Sequence, residues 1–331
     1  MRLLFAMFLC LPIQAAQPHF IWAIEHNNSK IYIAGAIHGM FENSPALPGV
    51  YFTILKAADR LVLETDFGQL SSPDSIQYWN NLAGDTSGER IPSTLKQQAQ
   101  VALLNGGVAP FRLETAWALA VTLEDLHAVR AGVNFNLGVD YQLYVQAVQN
   151  GTQIVGLAGY REHIDVLPSV PFPEQLQWLE SALDPNRDAR SEWNRQIELW
   201  RSGDLDTVAS LDAPDNPGYE QVYAARNRAW IPAIRNLLDL PGLSFVVVGA
   251  SHLGRPDGIL EGLRLLGFSP TQIEQPELSV RRSSAGTWIP SSNLSVGSTT
   301  MESSTDLRTW SPPAELTQAA KQLFWRANWR P

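Results

Sequence analysis

Two histidines stand at the same distance behind a glycine, in Gly35-Ala-Ile-His38 and Gly249-Ala-Ser-His252. Each motif closes an apolar run, and a third such run, Arg60-Leu-Val-Leu-Glu64, ends on a carboxylate. Two imidazoles and one carboxylate can hold a divalent ion with positions left open for water, and the ion draws the water's pKa towards neutrality. Without a metal, one imidazole can act as general base while the carboxylate orients it or the water. His38, Glu64 and His252 are therefore the candidate catalytic residues and the candidate metal ligands. Gly35 and Gly249 let the chain turn sharply and let a substrate approach the backbone. A histidine that only caps its strand through backbone hydrogen bonds is the simpler account of one isolated case. It is the weaker account of three chemically matched strand ends.

Other residues are supporting candidates. Asp66 shares the face of Glu64 only if the strand continues past it. Arg226 and Asn227 fall in a long helical segment, where an arginine either binds a substrate anion, pairs with Glu64 or is plainly solvated. His163, in Gly159-Tyr-Arg-Glu-His163, follows a strand and stays ambiguous, whereas His19, His26 and His127 are expected to be solvated. No phosphate-binding glycine loop, G-x-S-x-G elbow or helical H-E-x-x-H occurs, so nucleotide chemistry and the common serine-hydrolase plan are poorly supported.

The elements that must position these groups can be read from periodicity. Phe20 to Glu25 and Lys30 to Ala34, joined across His26 to Ser29, form an edge hairpin leading into the first buried strand. Arg60 to Glu64, Thr152 to Leu157 and Leu243 to Val248 are short apolar runs suited to strands buried on both faces. Helical patterning covers about Gly49 to Ala58, much of Ser93 to Val148, Glu174 to Leu183, Asp188 to Trp200, and Tyr219 to Leu237 with a kink at Pro232. Strands alternating with long helices predict an α/β domain with a largely parallel central sheet and helices packed around it. Its sites are expected beyond the carboxyl ends of the strands. From 276 to 331 the composition shifts to Ser, Thr and Trp, which predicts a short β-rich carboxyl-terminal appendage.

The opening MRLLFAMFLCLPIQAA has the layout of a secretory signal peptide cleaved near Ala16. That predicts three parts, 1–16, 17–275 and 276–331, and an exported, periplasmic or secreted protein without a membrane span in its mature form. Cys10, the single cysteine, lies within the leader, so cysteine ligands, a cysteine nucleophile and disulfides are excluded from the mature chain. The net charge of −9 becomes −10 once Arg2 leaves with the leader, which argues against nucleic acid or an anionic membrane as partner.

Together, the two G-x-x-H motifs, Leu63-Glu-Thr-Asp66, Gly138-Val-Asp140, Arg226-Asn227 and Leu266-Gly-Phe268 resemble the TraB/GumN family, which includes the Tiki proteins. The resemblance spans about Phe20 to Gln275. It implies an α/β domain in which the two histidines and a glutamate share one site. Tiki relatives are metal-dependent peptidases, the distantly similar erythromycin esterases use related His and Glu positions in hydrolysis, and another similar fold binds haem. Carried over, this makes His38, Glu64 and His252 the catalytic candidates, with Arg226 and Asn227 as support and Mn, Co or Zn as the cation. Relatives commonly carry a glutamate where this chain has Ala158, and a glutamine where it has His163. That departure weakens or shifts a metal site unless His163 compensates.

The expected function is an exported hydrolase that activates water for cleavage of a peptide or another acyl bond. The rival is a non-enzymatic binding protein that holds a peptide, a signalling molecule or haem in the same cleft. A third reading makes the Trp-rich tail the working part.

Overall fold

The computed structural model describes residues 20–273, apart from 86, 89, 111, 206–216 and 255, together with 279–282 and 288–291. The chain enters through β1 (Ile21–His26) and β2 (Ser29–Ala36), an antiparallel hairpin closed by Asn27-Asn28, with Asn27 in the left-handed region at φ 53°. Asparagine tolerates that conformation because its short polar side chain bonds locally. The short β3 (Met40–Phe41), α1 (Gly49–Ala57) and β4 (Arg60–Leu63) follow. Next come α2 (Phe67–Leu70), α3 (Pro73–Ala83), α4 (Ser93–Asn105), α5 (Ala116–Arg130) and β5 (Val133–Asn134). Then α6 (Val139–Asn150), β6 (Gln153–Gly156), α7 (Tyr160–Asp165), α8 (Phe172–Ala182), α9 (Ala189–Ser202) and α10 (Pro217–Leu237) lead to β7 (Gly242–Gly249). The domain closes with α11 (Ile259–Leu265) and β8 (Thr271–Gln272).

The main sheet has six strands in the order β6-β4-β7-β2-β1-β8. Pairings β6–β4, β4–β7 and β7–β2 are parallel, and β2–β1 and β1–β8 are antiparallel. The fold is thus the predicted α/β arrangement with a mostly parallel sheet. One detail differs. The β1–β2 hairpin is not the sheet edge, because the two-residue β8 pairs with Trp22 and Ala23 on its outer side. Nothing in so short a polar strand as Thr271-Gln272 marks it beforehand. Pro232 lies inside α10, which continues across it as one helical element.

The centre of the sheet is β7, whose Phe245, Val246, Val247 and Val248 are fully buried. Burying each such side chain contributes about 1.5–3 kcal/mol, so this strand is a principal anchor of the fold. Its register aligns Gly249 with Ala36 of β2, and Val247 with Leu63 of β4. The chain positions just beyond these residues carry His38, Glu64 and His252, so the three strands deliver them to one rim.

A second, separate core lies among α3, α4, α5 and α8, built on Trp117, Trp178, Leu119, Leu123 and Leu103, with Trp79 packed edge-on to Trp117 at 4.8 Å. Residues of both cores line one large cleft over the sheet rim. Among the described residues no helix is long and apolar enough to cross a membrane. The expectations for 1–16 and most of 276–331 lie outside the described residues; within 276–331, the described β9 (Ser279–Arg282) and β10 (Trp288–Ser291) pair antiparallel.

Candidate active site

Glu64 follows the last residue of β4, and its carboxylate is pinned by the backbone N–H of Gly249, which donates to Oε1 at 2.8 Å. The same oxygen faces both imidazoles: His38 Nε2 lies at 4.0 Å and His252 Nε2 at 3.9 Å. The other carboxylate oxygen faces a guanidinium nitrogen of Arg226 at 3.6 Å. Gly249 is what leaves room for this convergence. A Cβ on it would stand 3.1 Å from His38 Nε2, 3.3 Å from Glu64 Oε1 and 3.5 Å from His252 Cδ2.

Each imidazole is held through its Nδ1. His38 Nδ1 contacts Asp140 Oδ2 at 2.8 Å. Asp140 sits in the first turn of α6, where the helix N-terminus favours a negative charge. That turn is drawn against the His38 loop by Val139 N–H donating to Ile37 O at 2.9 Å. A side chain at Gly138 would strike His38 O at 2.4 Å, so the close approach demands glycine there. His252 occupies the 3-10 turn after β7, fully buried, with Nδ1 at 2.7 Å from Asn227 Oδ1. Asn227 Nδ2 donates to Asp257 O at 3.1 Å, which fixes the amide so that its oxygen faces the ring. His252 Nδ1 therefore carries the proton, and its Nε2 lone pair looks towards Glu64.

These environments drive the two imidazoles apart. Burial works against charge on His38, but the carboxylates of Asp140 and Glu64 outweigh it and raise the pKa to about 9. His38 also keeps half of its side chain open, at 51% exposure, so the burial opposing its charge is incomplete. His252 is driven down to about 3, first by burial and then by Arg226 and His38, despite the pull of Glu64. Glu64 resists its own burial and falls to about 2 because His252, His38 and Arg226 surround it. Near neutral pH the site thus pairs an imidazolium with a neutral imidazole across one carboxylate.

The supporting candidates separate. Arg226 and Asn227 join the cluster, and Arg226 also donates to His163 O at 3.1 Å. His163 comes to the site as well, with Nε2 3.4 Å from Arg226; burial and that guanidinium push its pKa down to about 3. Asp66 does not reach the cluster. The strand ends at Leu63 and the chain turns, so Asp66 caps α2 by accepting from Gly68 N at 2.8 Å. At Gly35 the Phe20 ring occupies the space of a side chain, and the carbonyl accepts from Trp200 Nε1 at 2.8 Å. Ala158 N–H donates to Glu64 O at 3.0 Å, so this backbone still braces the glutamate although its side chain brings no carboxylate. Away from the site, His127 contacts Ala182 O at 3.0 Å and His26 packs edge-on to Phe268 at 5.5 Å, so neither is simply solvated. His19 lies outside the described residues.

A model of the TraB/PrgY/gumN family matches residues 20–272. The chain belongs to this family. A relative from Escherichia coli strain K12, "Uncharacterized protein YbaP", is 27% identical over 244 residues, covering 71% of this chain and 89% of the relative. The protein of the same designation from Shigella flexneri aligns equally, at 27% over 244 residues. No solved structure matches the chain significantly.

For this TraB/PrgY/gumN chain, the donor set suits a divalent ion once His38 has lost its proton: two imidazole Nε2 atoms beside one carboxylate oxygen, with each Nδ1 anchored by an outer partner as metal-ligating histidines are. Two donors on a tetrahedral ion with ~2.1 Å bonds lie roughly 3.4 Å apart, so the cluster is more open by about half an ångström. Among the described residues no ligand group is already closed to metal-binding distance.

Sequence reasoning assigned no role to Asp140, Tyr223 or Trp230. The rings of Tyr223 and Trp230 hold His252 between them at centroid distances of 4.7 and 4.6 Å. A signal was present: 223, 226, 227 and 230 follow the i, i+3, i+4, i+7 spacing of one helical face. Asp140 was visible only as part of a motif, because its partner lies 102 residues away.

Proposed function

We propose that this family member is an exported hydrolase that cleaves a peptide or another acyl bond at the His38–Glu64–His252 cluster. One observation carries the reading: both Nε2 atoms face the same Glu64 oxygen, at 4.0 and 3.9 Å, while both Nδ1 atoms are tied back by Asp140 and Asn227. Groups whose environments push their pKa values apart suit acid and base roles in one reaction.

His252, neutral with a free Nε2 lone pair, is the proton acceptor for a water placed against Glu64. Glu64 orients that water and balances the imidazolium that forms. His38, charged at neutral pH, donates a proton to the leaving group and stabilises negative charge on the attacked acyl oxygen. Arg226 adds a fixed positive charge on the opposite side of the carboxylate. Tyr223 and Trp230 keep water from reaching His252 by other routes. A divalent ion held by His38, Glu64 and His252 would supply an acidified water and a Lewis acid at the same place. His38 would first have to give up its proton, so occupancy would rise with pH.

The test is a peptide-library cleavage screen with elemental analysis on the mature protein purified without chelator. Cleavage that falls at least 100-fold in both His38→Ala and His252→Ala supports the reading. Undiminished cleavage in the double variant overturns it. Tight peptide binding without cleavage would instead favour the binding-protein reading.

A further inference from the structure

The cleft over the cluster has a volume of about 1110 Å³, more than the ~300–1,000 Å³ of most small-molecule pockets. It extends from the sheet rim to the helical core, where α5 forms part of its wall. Val121, Asp125 and Ala128 of α5 line it at i, i+4 and i+7, one face of the helix. Thr122, Glu124 and Leu126 of the same helix line it too, so this wall carries two acids, Glu124 and Asp125.

The neighbouring charges are already matched. Arg187 reaches Glu124 at 3.5 Å and Glu192 at 2.8 Å. Arg195, the other arginine on this side of the cleft, is exposed. Among the described residues no hydrogen bond or ion pair reaches Asp125. Burial, together with repulsion from Glu124, pushes its carboxyl up to about 8, and among the described residues no cation acts to lower it. Ionising an acid that has no partner in the cleft is unfavourable, and a positively charged ligand offsets that cost by pairing with the carboxylate as its proton leaves.

We propose that Asp125 is a specificity subsite that receives a cationic nitrogen group, an ammonium or a guanidinium, carried by the acyl substrate processed at the His38–Glu64–His252 cluster. The proposal rests on the hydrolase reading for the word substrate, but binding at Asp125 is measurable without turnover. The cleft is then electrically two-ended: Arg226 and His38 face the acyl group, and Asp125 faces a basic side chain or amine.

The experiment uses calorimetric binding in a His252→Ala background, so that hydrolysis does not enter. The probes are N-benzoyl-arginine amide against N-benzoyl-citrulline amide, and N-benzoyl-lysine amide against N-benzoyl-norleucine amide. At least one cationic probe is expected to bind ten-fold or more tighter than its neutral partner. Asp125→Asn, with a melting temperature at or above that of its parent, is expected to erase the preference, and Asp125→Ser to do the same. Equal binding of cationic and neutral probes by the parent, or a preference that survives both substitutions, overturns the subsite. Failure of the hydrolase reading shows itself separately, as cleavage that ignores His38 and His252.

Discussion

Gly249→Ala tests whether the three head groups act across one shared gap. At φ −50° and ψ 136° the backbone of Gly249 is open to alanine, so the substitution adds no backbone strain. Alanine restricts the unfolded chain and returns about 0.4–1 kcal/mol of stability. The new methyl would stand 3.1 Å from His38 Nε2 and 3.3 Å from Glu64 Oε1. Ordinary contact needs about 3.5 Å, so one or both groups must retreat by a few tenths of an ångström. That crowding offsets the entropic gain, and net stability should stay within about 1 kcal/mol of the parent. Activity should not. If a misplacement of 1 Å costs ~100-fold, a retreat of about 0.4 Å costs roughly 5- to 10-fold in kcat/KM. The assay pairs initial rates on whichever library peptide is cleaved with a urea melt of the same preparation. Full kcat/KM in the variant would refute the shared gap, and an activity loss accompanied by an equal loss of stability would reduce it to a folding effect.

Two further outcomes follow from the electrostatics, both in chelator-treated protein. With its pKa raised to about 9, His38 should still carry its proton at pH 7.5, and Asp140→Asn should bring it back towards 6.5; histidine side-chain NMR across pH 5–10 reads both, and a midpoint near 6.5 in the parent would contradict the assigned role of Asp140. Because this pKa is raised, the stabilisation is complete below about 6.5 and fades as pH climbs through 9. Glu64 behaves oppositely: lowered to about 2, it stabilises the fold above about 4.5 and loses that contribution as pH falls towards 2. His252 is neutral at pH 7, so only His38 and Arg226 supply attraction there. Glu64→Gln should therefore cost about 2 kcal/mol at pH 7 and clearly less at pH 2.5, where the contribution is partly lost, in denaturant melts. An equal cost at both pH values would mean that packing, not charge, holds Glu64.

What could be read from the residues themselves was whatever depends on local pattern. The unbroken apolar run from Phe245 to Val248 suits only a strand covered on both faces, and helices between such runs imply parallel pairing. From that, Gly35-x-x-His38, Glu64 and Gly249-x-x-His252 fall on one rim whatever the detailed packing. The helical face of Tyr223, Arg226, Asn227 and Trp230 was equally legible by spacing. Pairing across long separations was not. Which carboxylate would anchor His38 depended on α6 docking against the His38 loop through Gly138, and which group would anchor His252 depended on where α10 lies over β7. Asp66 shows the limit most plainly: the alternation of a strand would put it beside Glu64, but β4 stops at Leu63 and the turn sends it to cap α2. Residue types and periodicity set the chemistry and the rim. The charge states that make the cluster a reagent, an imidazolium and a neutral imidazole across one carboxylate, exist only once burial and distance are decided in three dimensions.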